Sequence, residues 1–252
     1  MKNVYIYEGN FISLLNTIIF LLKNNIKPEN IKSEDYTPTL FENIINLSIN
    51  QDETILEKTI KSFGLFPVHR MYYVFLSEEE NKELIIYYFF RNSIKYRQKI
   101  LYYRNLKCVS EVWRISNYVI HETHKMKGFL RFKELEKNIL YAEMEPTNDI
   151  LFLISCHFTK RLKNEFWIIK DNKRKILSIY DKKEFIIVRE EEFKLTIEKE
   201  SKHEKDIEEL WKTFYKTIGI KERKNERCRR NFMPKKYWKY IIEVQEEIWK
   251  KL

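Results

Sequence analysis

The sequence predicts an α+β fold, with a helical N-terminal part, a small antiparallel β-rich centre carrying one helix, and a helical C-terminus. Three observations predict it. Long apolar-periodic stretches fill the first half. Five short β-branched and aromatic runs, punctuated by Asn, Asp and Lys, cluster in the middle. Helical spacing then returns behind capping residues.

The first elements are a short strand, "VYIY", and "FISLLNTIIFLLKNN", whose nearly continuous apolar character fits a buried helix. Ser77 and Glu80 form a capping-box pattern ahead of "NKELIIYYFFRNSIKYRQKILYY". A helix from Ser110 is expected to stop near Gly128. The strand runs are "FLRFKEL", "NILYAEMEP", "FWIIKD", "KILSIYD" and "EFIIVRE". Between the second and third, "NDILFLISCHFTKRLKN" reads as a helix capped by Asn148 or Asp149. Ser201 and Glu204 form a second capping box. Ile207, Leu210, Trp211, Phe214 and Ile218 then recur at helical spacing, a stripe expected to be core, before Gly219 as a stop. A final helix follows Pro234, with Trp238, Ile241, Ile242 and Trp249 at helical spacing. The expected division is a mainly helical part over 1–127 and an α+β part with basic C-terminal helices over 128–252.

Composition narrows the function classes. At 252 residues, 44% hydrophobic and 33% charged, the chain has ample material for a core. "FISLLNTIIFLL" is too short to span a bilayer, and nothing resembles a signal peptide, so a cytoplasmic chain is expected. Three widely spaced cysteines (Cys108, Cys156, Cys228) argue against a disulfide framework and against an all-cysteine metal site. Four isolated glycines cannot build a glycine-rich nucleotide loop. No cofactor is expected.

The stretch "HETHKMKGFLRF" (121–132) tests the metal question. On a helical wheel with Val112 at zero, the apolar residues Val119, Ile120 and Met126 centre near about 20°. His121 falls near about 180° and His124 near about 120°, and Glu122 points away from both. A zincin helix needs H-E-x-x-H, and this is H-E-x-H. No metal site is expected.

The net charge of +10 is clustered. Residues 91–110 hold six Lys or Arg and no acid; 157–175 hold seven against two acids; 221–239 hold nine against two. The stretch from 121 adds Lys125, Lys127, Arg131 and Lys133. Clustered cations suit phosphates, and binding that releases counterions is salt-sensitive. The candidate nucleic-acid contacts are Lys127, Arg131, Lys160, Arg161, Arg174, Arg223, Asn225, Arg227, Arg230, Lys235, Lys236 and Tyr237.

These stretches together resemble a bacterial family of unknown biochemical function, described as probable DNA metabolism or putative DNA repair proteins. The resemblance runs from "YEGNFISLL", close to an opening Tyr-Asp-Gly-Ser-Phe pattern with Glu8 and Asn10 as departures. It continues through "HETHKMKGFLRFKEL", "ILYAEMEP", "DILFLISCHFTKR" and "WIIKDNKR" to "LWKTFYKTIGIKERKN" and "MPKKYWKYIIE". A glutamine of that pattern is replaced here by Arg229. The resemblance implies work beside a radical SAM DNA repair or modification protein, and relatives fused to uracil-DNA-glycosylase-like domains. The expected function is therefore a DNA-binding accessory protein of repair or base modification, with single- and double-stranded DNA both open. The alternative is a glycosylase-like or hydrolytic enzyme, for which His124, His157, Asp171 and Glu222 are the acid–base candidates.

Overall fold

The computed structural model describes residues 2–47, 49, 51–136, 138–193, 204–218 and 220–244. Helices at both ends and strands between them make the chain α+β. It divides into two compact units, Met1–Ile120 and His121–Leu252.

In the first unit, β1 (Lys2–Tyr7) leads into α1 (Phe11–Lys23) through Gly9, whose φ of 77° lies where side chains are disfavoured. Asn10 caps α1 by accepting a 2.8 Å hydrogen bond from the Ser13 amide. Two strands that the sequence did not announce follow: β2 (Asn30–Ser33) and β3 (Glu42–Asn46). Both pair parallel to β1, in the order β2-β1-β3. The N-terminal part is thus more than helices after one strand. β2 and β3 are short and largely polar, so they carry no apolar alternation to betray them.

The helices α2 (Ile55–Phe63), α3 (Leu65–Phe75) and α4 (Lys82–Tyr96) complete this unit with the start of α5 (Lys107–Phe129). Leu14, Leu15, Ile18 and Leu21 of α1 are fully buried, in one core with Ile31, Met71, Val74, Ile86 and Phe89. Each such side chain contributes about 1.5–3 kcal/mol of apolar burial. Ser77 does not open α4. Its hydroxyl donates to the Val74 carbonyl (2.6 Å), closing α3 instead. α4 also ends sooner than its periodicity suggests, at Tyr96, where Arg97 turns to a φ of 50° and a 3₁₀ segment runs to Tyr102.

α5 begins at Lys107, ahead of Ser110, and runs through Gly128 to Phe129. A Cβ at Gly128 would meet nothing within 4 Å, so this glycine is no forced break.

The second unit holds a five-stranded sheet in the order β4-β5-β6-β7-β8: β4 (Lys133–Leu135), β5 (Ile139–Met144), β6 (Phe166–Asp171), β7 (Ile176–Tyr180) and β8 (Phe185–Arg189). All five expected strands form. The sheet is mixed, however, and not purely antiparallel, because β5 and β6 pair parallel. Parallel neighbours need a crossover, and α6 (Leu151–Arg161) provides it. α6 packs on the sheet through buried Leu151, Ile154 and Phe158, and Ser155 Oγ donates to Ser178 Oγ of β7 at 2.7 Å. Ile150, with no side-chain cap bond, precedes its first turn.

Beyond the sheet come α7 (Glu204–Ile218) and α8 (Glu226–Phe232). The expected final helix is instead a 3₁₀ segment, Lys235–Tyr240, followed by a 3₁₀ turn at Ile242–Val244. The α7 stripe departs furthest from expectation. Ile207, Leu210, Trp211, Phe214 and Ile218 are all exposed among the described residues. Ser201, Gly219 and Trp249, expected as cap, stop and helix residue, lie outside the described residues.

Candidate nucleic-acid interface

Parallel strands direct their carboxyl ends to one edge, where loops gather functional groups. In the second unit that edge is the end of β5 and β6, locked by the Asn172 amide donating to the Met144 carbonyl at 2.9 Å. The loop 145–150, from "EMEPTNDI", rises from it. Three other segments grip that loop.

The first is α5, through Glu122. This carboxylate is only 4% exposed, yet it accepts five hydrogen bonds. Oε1 takes the Thr147 amide (2.9 Å), the Tyr237 hydroxyl (2.6 Å) and Lys236 Nζ (3.3 Å). Oε2 takes the Asn148 amide (2.8 Å) and its Nδ2 (2.6 Å). Burial pushes the Glu122 carboxyl up, but the bonds from Tyr237, Asn148 and Thr147, with the charge of Lys236, outweigh it. The group lies below the ordinary carboxylate value and is ionised.

The second is the turn after β6. Asp171 is fully buried and accepts the amides of Lys173 (2.9 Å) and Arg174 (3.2 Å), plus Arg174 Nη1 (3.0 Å). Arg174 Nη2 then donates to the Thr147 carbonyl (2.7 Å), which Lys173 Nζ also reaches (3.2 Å). The third is the segment 235–240. Lys236 Nζ donates to Thr147 Oγ1 (2.6 Å), and Lys239 pairs with Glu145, which also accepts the Tyr240 hydroxyl (2.7 Å). Asn172 Nδ2 joins this set by donating to the Tyr240 oxygen (3.2 Å) and to Glu143 (3.0 Å).

The outcome is a rim on which Lys173, Lys236 and Lys239 carry exposed side chains over an ordered backbone loop. The cation clusters at 157–175 and 221–239, some sixty residues apart, meet here through Thr147 and Glu145. The buried members, Glu122 and Asp171, set the loop; Lys236 and Lys239 reach solvent while paired with Glu122 and Glu145, and Lys173 is exposed beside them.

The other predicted residues distribute as follows. Lys127, His157 and Arg161 lie close enough that both cations lower the imidazole, after its own partial burial does so. Lys160 is exposed beside them on α6. Arg131 is turned inward, donating to Glu243 at 2.6 and 3.3 Å and to the Gly128 carbonyl at 2.8 Å. Asn225 caps α8 through the Cys228 amide (2.9 Å). Arg223, Arg227, Arg230 and Lys235 are exposed, and Tyr237 is buried against Glu122. The four acid–base candidates sit on four elements: His124 exposed on α5, His157 on α6, Asp171 at the end of β6, and Glu222 on the 3₁₀ turn before α8. Among the described residues no three His, Cys, Asp or Glu side chains gather to hold a metal.

Sequence reasoning missed Glu122, Glu145, Thr147, Asn148, Asn172, Lys173, Lys239 and Tyr240. Glu122 left a signal. Its wheel position, about 280°, lies within about 40° of Met126, on the edge of the buried stripe. An acid there must find donors.

The rim spans residues 122–240, and the sequence model of the domain of unknown function DUF4130 matches residues 80–243. The chain belongs to the DUF4130 family. The DUF4130 match thus includes every rim residue, along with α4 and nearly all of the described second unit. No curated protein and no solved structure matches the chain. Among the described residues no helix is long and apolar enough to cross a membrane.

Proposed function

We propose that this DUF4130 chain is a DNA-binding accessory protein of DNA metabolism, holding the phosphate backbone with the rim at the end of β5 and β6. The observation that carries the reading is the meeting of two distant basic segments on one ordered loop. A solvated, lysine-rich surface has no need to pin its cations to a loop through a buried carboxylate that itself costs desolvation. Preorganised cations lose less side-chain entropy when a phosphate arrives.

The family resemblance supplies the setting, repair or base modification beside a radical SAM protein. Any radical chemistry would reside in that partner, because this sequence lacks the Cys-x3-Cys-x2-Cys of such enzymes.

A salt titration tests the reading. Affinity for a labelled duplex should fall between 50 and 200 mM salt by about 40-fold, as expected when the three rim lysines each neutralise one phosphate. Affinity that does not respond to salt sinks the proposal.

A further inference from the structure

α7 is amphipathic, but its apolar face is the exposed one. With Ile207 at zero on a helical wheel, Leu210, Trp211, Phe214 and Ile218 all fall within about 60° of it. Their exposures nonetheless run from 41% to 70% among the described residues. The helix is held by polar ties instead: Glu204 accepts the Glu134 amide at 2.9 Å, and Glu208 pairs with Lys133 at 3.1 Å. Trp211 and Phe214 stack on each other, with centroids 5.5 Å apart and planes at 27°.

Two clefts flank this stripe. One, about 910 Å³, is bounded by Arg131, Phe132 and Ile242, and its cation is already bound to Glu243. The other, about 710 Å³, lies between α7 and α8 and has a different charge. Lys216, Arg223, Lys224 and Arg229 line it against a single acid, Glu226, which pairs with both Lys224 (3.6 Å) and Arg229 (3.0 Å). Three net positive charges beside a stacked aromatic pair suit a partner that is both polyanionic and flat-faced.

We infer that the α7–α8 groove takes unpaired nucleotides, stacking bases on Trp211 and Phe214 while Arg223, Lys224 and Lys216 hold phosphates. Paired bases keep their faces inside the duplex, so only single-stranded nucleic acid or a base swung out of a helix offers both features together. The inference rests on the DNA-binding reading above and gives it a strand form. An amphipathic face on an anionic lipid surface and a second copy of this chain are the competing occupants; a second copy would bring a like-charged face against this one, and a lipid surface offers no flat-faced group for the aromatic pair to stack on.

The test uses the full chain with labelled oligothymidylate, a same-length duplex, and anionic vesicles. Single strands should bind at least tenfold more tightly than duplex. Phe214→Ala, an exposed position, should weaken single-strand binding roughly tenfold and leave duplex binding unchanged. The double variant Arg223→Ala/Lys224→Ala should also weaken the single strand, with a shallower salt dependence. Equal affinity for both forms, untouched by Phe214→Ala, overturns this inference while leaving the rim reading intact. Vesicle binding without oligonucleotide binding, or self-association lost in Phe214→Ala, also overturns it. Failure of every nucleic acid to bind removes the rim reading as well.

Discussion

At the scale of single residues, Glu122 does most to determine the candidate site. Its five donors come from the 145–150 loop and the 235–240 segment, so removing the carboxylate leaves buried amides without an acceptor. Glu122→Ala should cost about 3 kcal/mol or more, measured by denaturant unfolding. The pH dependence has a definite sign. Because the folded-state pKa is lowered, the stabilisation is fully present above the unfolded value and is lost as pH falls through the folded one. The wild-type protein should therefore lose thermal stability on acidification below about pH 4.5, and Glu122→Gln should lose less. Equal slopes for the two would remove Glu122 from this role. The residue stood in plain view between two histidines. The zincin pattern drew attention to the imidazoles, whereas the buried group was the glutamate, and its donors lie 25 to 115 positions away.

At the scale of elements, legibility followed periodicity. Four of the five strands of the second unit announced themselves because apolar and aromatic residues dominate them, and β4, Lys133–Leu135, is the polar end of the run "FLRFKEL". Their pairing did not announce itself, since a parallel or antiparallel partner depends on the path of α6 and not on the strand's own residues. α7 shows the opposite case. Helical spacing identified the helix correctly, but it cannot say whether a stripe meets a core or a cleft. The tie between β1 and α4 in the first unit was also invisible. Tyr7, at the end of β1, donates to buried Glu83 in the first turn of α4 at 3.3 Å, and Lys32 of β2 stands 4.0 Å from the other oxygen. Burial raises the Glu83 carboxyl above its ordinary value, and the charges of Lys82 and Lys32 do not offset it. A raised carboxyl favours the fold at low pH, where it is protonated, and opposes it once pH exceeds the unfolded value. Glu83→Gln should accordingly raise the melting temperature near pH 7 and change it little near pH 4. The same increment at both pH values would show that the charge is not what matters.

At the scale of the whole molecule, the excess charge lies in both units, but the candidate site draws only on the second. The cluster at 91–110 belongs to the first unit, where Lys95 and Lys99 are exposed. The sequence shows only how densely each cluster is charged. What density cannot reveal is which cations are spent internally: Arg131 on Glu243 and Arg174 on Asp171 are bound into the fold, while Lys236 and Lys239 reach solvent from partners that orient them. This distinction gives a quantitative expectation. Each lysine that neutralises a phosphate contributes close to one unit to the slope of log affinity against log salt, about 0.9 on duplex DNA and 0.7 on a single strand. Lys236→Ala/Lys239→Ala should reduce that slope by between one and two units for either strand form. Lys95→Ala/Lys99→Ala removes the same formal charge from the other unit and should leave the slope unaltered. If the two double variants flatten the salt dependence equally, binding follows total charge and the rim has no special part in it. If only the first does, the phosphates are held where the 145–150 loop, the turn after β6 and the 235–240 segment meet.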